Sequence, residues 1–239
     1  MEVTLNLEKT SSKDISIMVD AFRASTSITL ALDKFNEVIP TFTPEKAKEI
    51  AKEKNGMLAG ERMGKALEGF DIGNSPVEIN ELNTKLKTLI LTTSNGTRIL
   101  ENMKSTVLIG CFINARAVAK KSLILAKENN YRHIDVVMAG WKGNFAIEDF
   151  LASGEILYWI QKELYENHTT DEDFDISEYA QSAILASRDY KKLKEVIYNT
   201  KSSKRLKKLG YEKDIELSLK KNINNNVAIY NEGVLKLLK

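Results

Sequence analysis

Short apolar runs alternate with amphipathic stretches over the first two-thirds of the chain. Residues 3–7, 15–19, 37–40, 57–59, 88–92, 106–109 and 134–139 are short, apolar and rich in β-branched side chains. Several of these runs lack polar alternation, the pattern of strands buried on both faces. Between them, residues 25–32, 44–54, 114–129 and 147–165 carry helical spacing. Thr43 precedes Pro44 as a cap, with proline at the first helical position. In the fourth helix Phe150, Gly154, Leu157, Ile160 and Leu164 share one face. This rhythm predicts an α/β protein, a three-layer α/β/α arrangement with a mixed, largely parallel sheet. From Asp171 to Leu219 Lys-rich helical patterns take over, and a run at 227–230 reads as one late strand. No linker rich in Pro, Gly or Ser interrupts the chain, so we expect one domain over residues 1–239. Two lobes, 1–170 sheet-rich and 171–239 mostly helical, are the alternative.

Composition adds exclusions. The chain has 239 residues, 43% of them hydrophobic, which is ordinary for a globular protein. Its 35 basic and 33 acidic residues leave a net charge of +2, no basis for expecting nucleic acid as a partner. Cys111 is the sole cysteine, so no intrachain disulfide forms, as in a reducing cytoplasm. No apolar run approaches the ~18 residues of a membrane span. Glu2, Glu8, Lys9, Lys13 and Asp14 leave no apolar core for a signal peptide. We expect a cytoplasmic protein with no membrane partner; the sequence leaves a homo-oligomer open.

Polar groups gather where the strands end. Asp20-Ala21-Phe22-Arg23-Ala24-Ser25-Thr26 follows the second run, and Gly60-Glu61-Arg62 follows the fourth. Thr93-Ser94-Asn95-Gly96-Thr97-Arg98, Cys111 to Arg116, and Gly140 to Asn144 follow the next three. Open α/β sheets bind ligands beyond the carboxyl ends of their strands, so these segments point to one shared site. Only seven residues of the chain are arginine, and Arg23, Arg62, Arg98 and Arg116 lie in these segments. Arginine offers a planar fork for phosphate, sulfonate or carboxylate. Ser25, Thr26, Asn95, Gly96 and Thr97 stand before helical patterns, where free backbone N–H groups favour anions. The carboxylates Asp20, Glu61, Asp71, Glu148 and Asp149 supply the opposite charge. Mg²⁺ takes one or two carboxylates, with waters and substrate oxygens completing its octahedron. The inferred ligand is a small, highly charged anion beside a divalent cation.

Familiar catalytic patterns fail. Gly60 to Ala66 is one residue short of a P-loop and lacks its Ser/Thr. Cys111 to Arg116 is one residue short of a thiolate phosphatase loop, and Phe22 stands where a haloacid-dehalogenase-type phosphatase has a second Asp. Ile176 occupies the glycine position of a calcium loop beginning at Asp171, so the acidic residues up to Asp175 read as a solvated helix start.

The segments "VDAFRAST", "GERMGKALEGFDIGNSP", "LTTSNGTRIL", "FINARAVA" and "AIEDFLASGEI" together resemble the 2-phosphosulfolactate phosphatase family. They keep the family's order over roughly residues 15–156, and "KKLGYEKDIELSL" is similar to it too. The resemblance implies Mg²⁺-dependent hydrolysis of 2-phospho-3-sulfolactate to 3-sulfolactate and phosphate. In methanogens that reaction serves coenzyme M synthesis. Combining the resemblance with the residue pattern, we expect Asp20, Glu61, Glu148 and Asp149 as the metal set and Asp20, Glu61, Arg62 and Asp71 as the catalytic set. Arg23, Ser25, Thr26, Asn95, Gly96, Thr97, Arg98, Asn114 and Arg116 would bind substrate, with Arg98 and Arg116 on its sulfonate or carboxylate end. Asp71 or Asp149 would serve as general base. Gly140-Trp141-Lys142-Gly143 departs from the smaller turn of the family.

Two other function classes fit parts of the pattern. A non-catalytic sensor of a phosphorylated anion needs the arginines but neither metal nor base. The Lys-rich run from Lys201 to Lys208 could touch nucleic acid, although its acidic neighbours favour a solvated helix face.

Overall fold

The structure is a computed structural model that describes residues 1–8, 12–93, 100, 103, 105–167 and 174–238. Its strands are β1 (Glu2–Leu7), β2 (Ile15–Val19), β3 (Glu37–Thr41), β4 (Met57–Arg62), β5 (Lys65–Ala66) and β6 (Thr88–Thr92). They continue with β7 (Thr106–Gly110), β8 (His133–Met138), β9 (Asp175–Ile176), β10 (Ala228–Asn231) and β11 (Val234–Leu237). The helices are α1 (Ala24–Ala31), α2 (Pro44–Lys54), α3 (Pro76–Glu81), α4 (Ala115–Glu128) and α5 (Ile147–Asn167). The C-terminal ones are α6 (Glu178–Ala186), α7 (Tyr190–Tyr198), α8 (Lys201–Lys208) and α9 (Glu212–Ser218). Helices cover a mixed, mostly parallel sheet, as the alternation of patterns requires.

The continuous apolar runs have a structural cause. In β2, Ile15, Ile17 and Val19 face a core built with Val118, Leu151, Ile156 and Ile160 of α4 and α5. Met18 faces the opposite core, with Ile28 and Ala31 of α1. Side chains alternate along a strand, so a strand covered on both faces shows no polar alternation, and the one polar residue of β2, Ser16, is buried with its hydroxyl on Ser105 Oγ. Thr43 caps α2 by accepting from the Lys46 N–H at 3.3 Å, as its position before Pro44 predicts.

The strand order is β5-β4-β6-β3-β11-β10-β7-β2-β8-β1-β9. Two parallel groups flank the hairpin β10–β11: β4, β6 and β3 on one side, β7, β2, β8, β1 and β9 on the other. The sequence predicts one late strand; the structure has two, because Glu232-Gly233 turns the chain back. The links β3–β11, β11–β10 and β10–β7 are all antiparallel, so the two groups run in opposite senses. Neighbouring strands also rotate by about 20–25°, so the steps from β4 to β2 accumulate well over 100°. Reversal and twist together return the carboxyl ends of β2, β8, β4 and β6 to one region. Asp175 is not a helix start but belongs to β9, which adds to the edge of β1.

Two contacts fix the C-terminal helices. Arg23, after β2, pairs with Asp214 of α9 at 2.7 Å, and both side chains are buried. Gly154 of α5 lies against α6 so closely that a Cβ there would overlap the Ala183 carbonyl. Asp214→Ala strands a buried guanidinium and is expected to cost roughly 3–5 kcal/mol. For a chain of this size that lowers the melting temperature by roughly 6–20 °C. Gly154→Val is expected to cost about 1–3 kcal/mol or more through overpacking, read in urea unfolding. Either variant melting with the parent protein would remove that contact from the account.

Candidate active site

After β2 the chain folds onto itself before entering α1. The Asp20 N–H donates to Ser25 Oγ at 2.9 Å, and the Ser25 N–H donates back to the Asp20 carbonyl. The Ala24 N–H reaches Asp20 Oδ1 at 3.3 Å, and the Thr26 hydroxyl donates to the Ala21 carbonyl at 3.1 Å. Ser25 and Thr26 are fully buried, so these hydroxyls shape the loop. Asp149, in the first turn of α5, accepts the Ala21 N–H at 2.8 Å and the Gly140 N–H at 2.9 Å. One carboxylate thus ties the end of β2 to the end of β8. Burial, and then the carboxylates of Asp20 and Glu148, push the Asp149 carboxyl well above its ordinary value. The two N–H donors pull the other way without reversing this.

The β4–β5 turn forms the facing wall. Glu61 is buried at the end of β4, and its Oε2 accepts the Gly64 N–H at 2.6 Å. Gly64 has φ +84°, a backbone conformation that favours glycine, and Leu209, Leu206 and Arg205 crowd its missing Cβ. Its carbonyl accepts from Arg23 Nη2 at 2.9 Å. Arg23 also lies 4.5 Å from the Tyr211 ring centroid. Its ion-pair partner Asp214 accepts from Ser75 Oγ at 2.6 Å and from the Val77 N–H at 3.4 Å.

Between these walls lies a cleft of about 50 Å³. Asp20, Arg23, Glu61, Asn74 and Thr93 line its interior, with Trp141 and Arg205 among the residues that close it. The structure therefore brings together three of the residues singled out in the sequence, Asp20, Arg23 and Glu61. Asn74 is 3% exposed, and its Oδ1 has no hydrogen-bond partner among the described residues. The Arg205 guanidinium lies 4.9 Å from the Trp141 ring centroid.

Other expected site residues are placed elsewhere. Arg62 turns to the opposite side of β4 and donates to the carbonyls of Glu61 and Phe42 and to Thr92 Oγ1. Asp71 is exposed and accepts the Leu58 N–H at 2.7 Å, three residues before Glu61 on β4. Asn114 is buried, accepts the Cys111 N–H and donates to Ile109 and Asn226 carbonyls. Arg116 lies on the exposed side of α4, 5.0 Å from the Trp159 ring centroid. Glu148 is buried beside Asp149 and does not line the cleft. Asn95, Gly96, Thr97 and Arg98 lie outside the described residues. Cys111 is fully buried, and burial pushes its thiol pKa up, against a thiolate nucleophile.

Sequence reasoning missed Arg205 and Asp214, while Asn74, Thr93 and Trp141 lie in segments it pointed to without a role assigned to each. A signal existed for Arg205, one arginine in a run otherwise rich in lysine. Asn74 belongs to the polar segment that follows β5 and precedes α3.

Among the described residues no three His, Cys, Asp or Glu side chains converge as a metal cage. Mg²⁺ does not need one, since waters and a phosphate complete its shell. The carboxylates of Asp20 and Glu61 and the orphaned Asn74 oxygen are hard oxygen donors at one cleft, and this set fits Mg²⁺.

A family model described as 2-phosphosulpholactate phosphatase matches residues 3–233. The chain is 42% identical, over its whole length and 96% of the relative, to the 2-phosphosulfolactate phosphatase of Methanothermobacter thermautotrophicus. It is 34% identical to the 2-phosphosulfolactate phosphatase of Methanocaldococcus jannaschii, over 95% of this chain and 93% of that one. A match across nearly every element that builds the cleft places the chain in a family: it belongs to the 2-phosphosulpholactate phosphatases.

Proposed function

We propose that this protein is a Mg²⁺-dependent phosphatase. It hydrolyses 2-phospho-3-sulfolactate, or a small phosphorylated acid like it, to 3-sulfolactate and phosphate in the cytoplasm. The observation that carries the reading is the charge of the cleft. Asp20 and Glu61 line it, while Arg23, the cation between them, is already paired with Asp214. A phosphate dianion placed beside two carboxylates is repelled by both, and a divalent cation held by those carboxylates offsets that repulsion.

Asp20, Glu61 and Asn74 would hold that cation. When bound, Mg²⁺ supplies Lewis-acid polarisation of a phosphoryl oxygen and a more acidic bound water. The chain's own groups do the rest. Glu61 is fixed by the Gly64 N–H and Asp20 by the Ala24 N–H, so neither carboxylate needs to reorganise. Asn74 Oδ1 is an acceptor held ready for a water or a hydroxyl. Both Asp149 oxygens accept backbone N–H groups and Asp71 accepts the Leu58 N–H on the far part of β4, so neither is placed to take a proton from the attacking water. No helix among the described residues is long and apolar enough to cross a membrane.

The purified protein is expected to release phosphate from 2-phospho-3-sulfolactate and to lose that activity with a chelator, regaining it on Mg²⁺ addition. Asp20→Asn and Glu61→Gln are expected to lower kcat/KM on the order of 10²–10³-fold. Calorimetry should show weaker Mg²⁺ binding by both variants at an unchanged fold. Near-parental rates in both, or metal-independent turnover, would sink the metal assignment. Tight binding of the substrate without phosphate release would favour a sensor instead.

A further inference from the structure

Two described arginines line the cleft, and they differ in what the protein asks of them. Arg23 is spent on Asp214, the Gly64 carbonyl and the Tyr211 ring. Arg205 makes no ion pair or hydrogen bond among the described residues, and its contact is the face of Trp141. Its position on α8 is half-buried. Neighbouring Lys207 points elsewhere, pairing with Glu212 at 3.6 Å and lying over Tyr198.

A cation–π contact does not use up the guanidinium's N–H donors, and no described residue takes them, so they remain for a ligand. Trp141 is a firm platform, because its N–H and carbonyl both pair with Asn144 at 2.9 and 3.0 Å. Gly140, just before it, is held by Asp149, the carboxylate that also holds the Asp20 loop. The open fork is thereby kept in register with the carboxylates that mark the phosphoryl end. The Arg205 side chain packs along the β4–β5 turn, 3.8 Å from the position a Cβ on Gly64 would take.

We propose that Arg205, held over the Trp141 ring, receives the anionic group of the substrate that is not transferred. It thereby selects phosphorylated acids that carry a second oxyanion, sulfonate or carboxylate, over simple phosphate monoesters. This inference rests on the phosphatase reading above and deepens it. From the sequence this role is expected of Arg98, which lies outside the described residues, and of Arg116, which lies on the outer side of α4; Arg205 of the Lys-rich helix takes the place of Arg116.

Calorimetry with 3-sulfolactate and with inorganic phosphate, each with Mg²⁺ present, tests the proposal without turnover. Arg205→Gln is expected to weaken 3-sulfolactate roughly 10–100-fold, the effect of losing a charge-assisted pair, and to leave phosphate within about twofold. Arg205→Lys should restore part of the loss, and Trp141→Phe should retain more affinity than Trp141→Ala. In kinetics, the KM for 2-phospho-3-sulfolactate should rise while kcat holds. A parallel rise for 2-phospholactate assigns the carboxylate to Arg205; an unchanged KM there assigns the sulfonate. Equal weakening of both ligands, unaltered 3-sulfolactate binding in Arg205→Gln, or no binding to the parent protein would overturn the proposal. Failure of the phosphatase reading looks different: the parent protein would bind 3-sulfolactate yet release no phosphate.

Discussion

The buried ion pair between Arg23 and Asp214 is the interaction on which the cleft depends. It joins four parts of the chain: the loop after β2, the β4–β5 turn through the Gly64 carbonyl, the start of α3 through Ser75 and Val77, and α9. Desolvating two charges is costly, and their attraction repays it only where the remaining donors and acceptors are also satisfied. Here they are, by a carbonyl, a hydroxyl, an amide and the Tyr211 face. The pair also commits Arg23 to the wall of the cleft, where its charge is balanced by Asp214.

The same pair explains why the C-terminal helices matter to a site whose carboxylates come from the sheet. Helices α8 and α9 lie over the β4–β5 turn, bringing Arg205 and Leu206 to the cleft and Tyr211 onto Arg23. The hairpin β10–β11 plays the complementary part inside the sheet. It reverses the sense of one parallel group, and the accumulated twist turns that group's carboxyl ends back toward the other. A purely parallel sheet would place its site at a single switch point. Here two groups of strands each contribute a wall.

The fold was largely legible because apolar periodicity is set by burial, and β2 and β6 match their apolar runs at both ends. Strand-end chemistry located Asp20, Arg23 and Glu61 for the same reason: a buried strand leaves its polar residues at its ends. The pairing of Glu61 with Arg62 was not available to a strand. Adjacent side chains point to opposite faces, so once Glu61 enters the cleft, Arg62 must leave it. Asp214 was hidden by its context, since one aspartate on a polar helix looks the same solvated or buried. Arg205 was hidden likewise, because direction along a Lys-rich helix depends on what the helix packs against. Long-range partners such as Arg23 and Asp214, 191 residues apart, leave no local trace.

Asp149 shows how the charges are layered. It is buried, both its oxygens accept backbone N–H groups, and burial with the neighbouring Asp20 and Glu148 raises its pKa. That makes it a brace between β2 and β8, held there at a cost set first by burial and then by the neighbouring carboxylates. Arg205 then differs from Arg23 in kind. One guanidinium is consumed in building the wall and carries no net charge into the site. The other has no ion-pair partner among the described residues and lies over an aromatic ring, so of the two described arginines at the cleft the one left for a substrate comes from the helix.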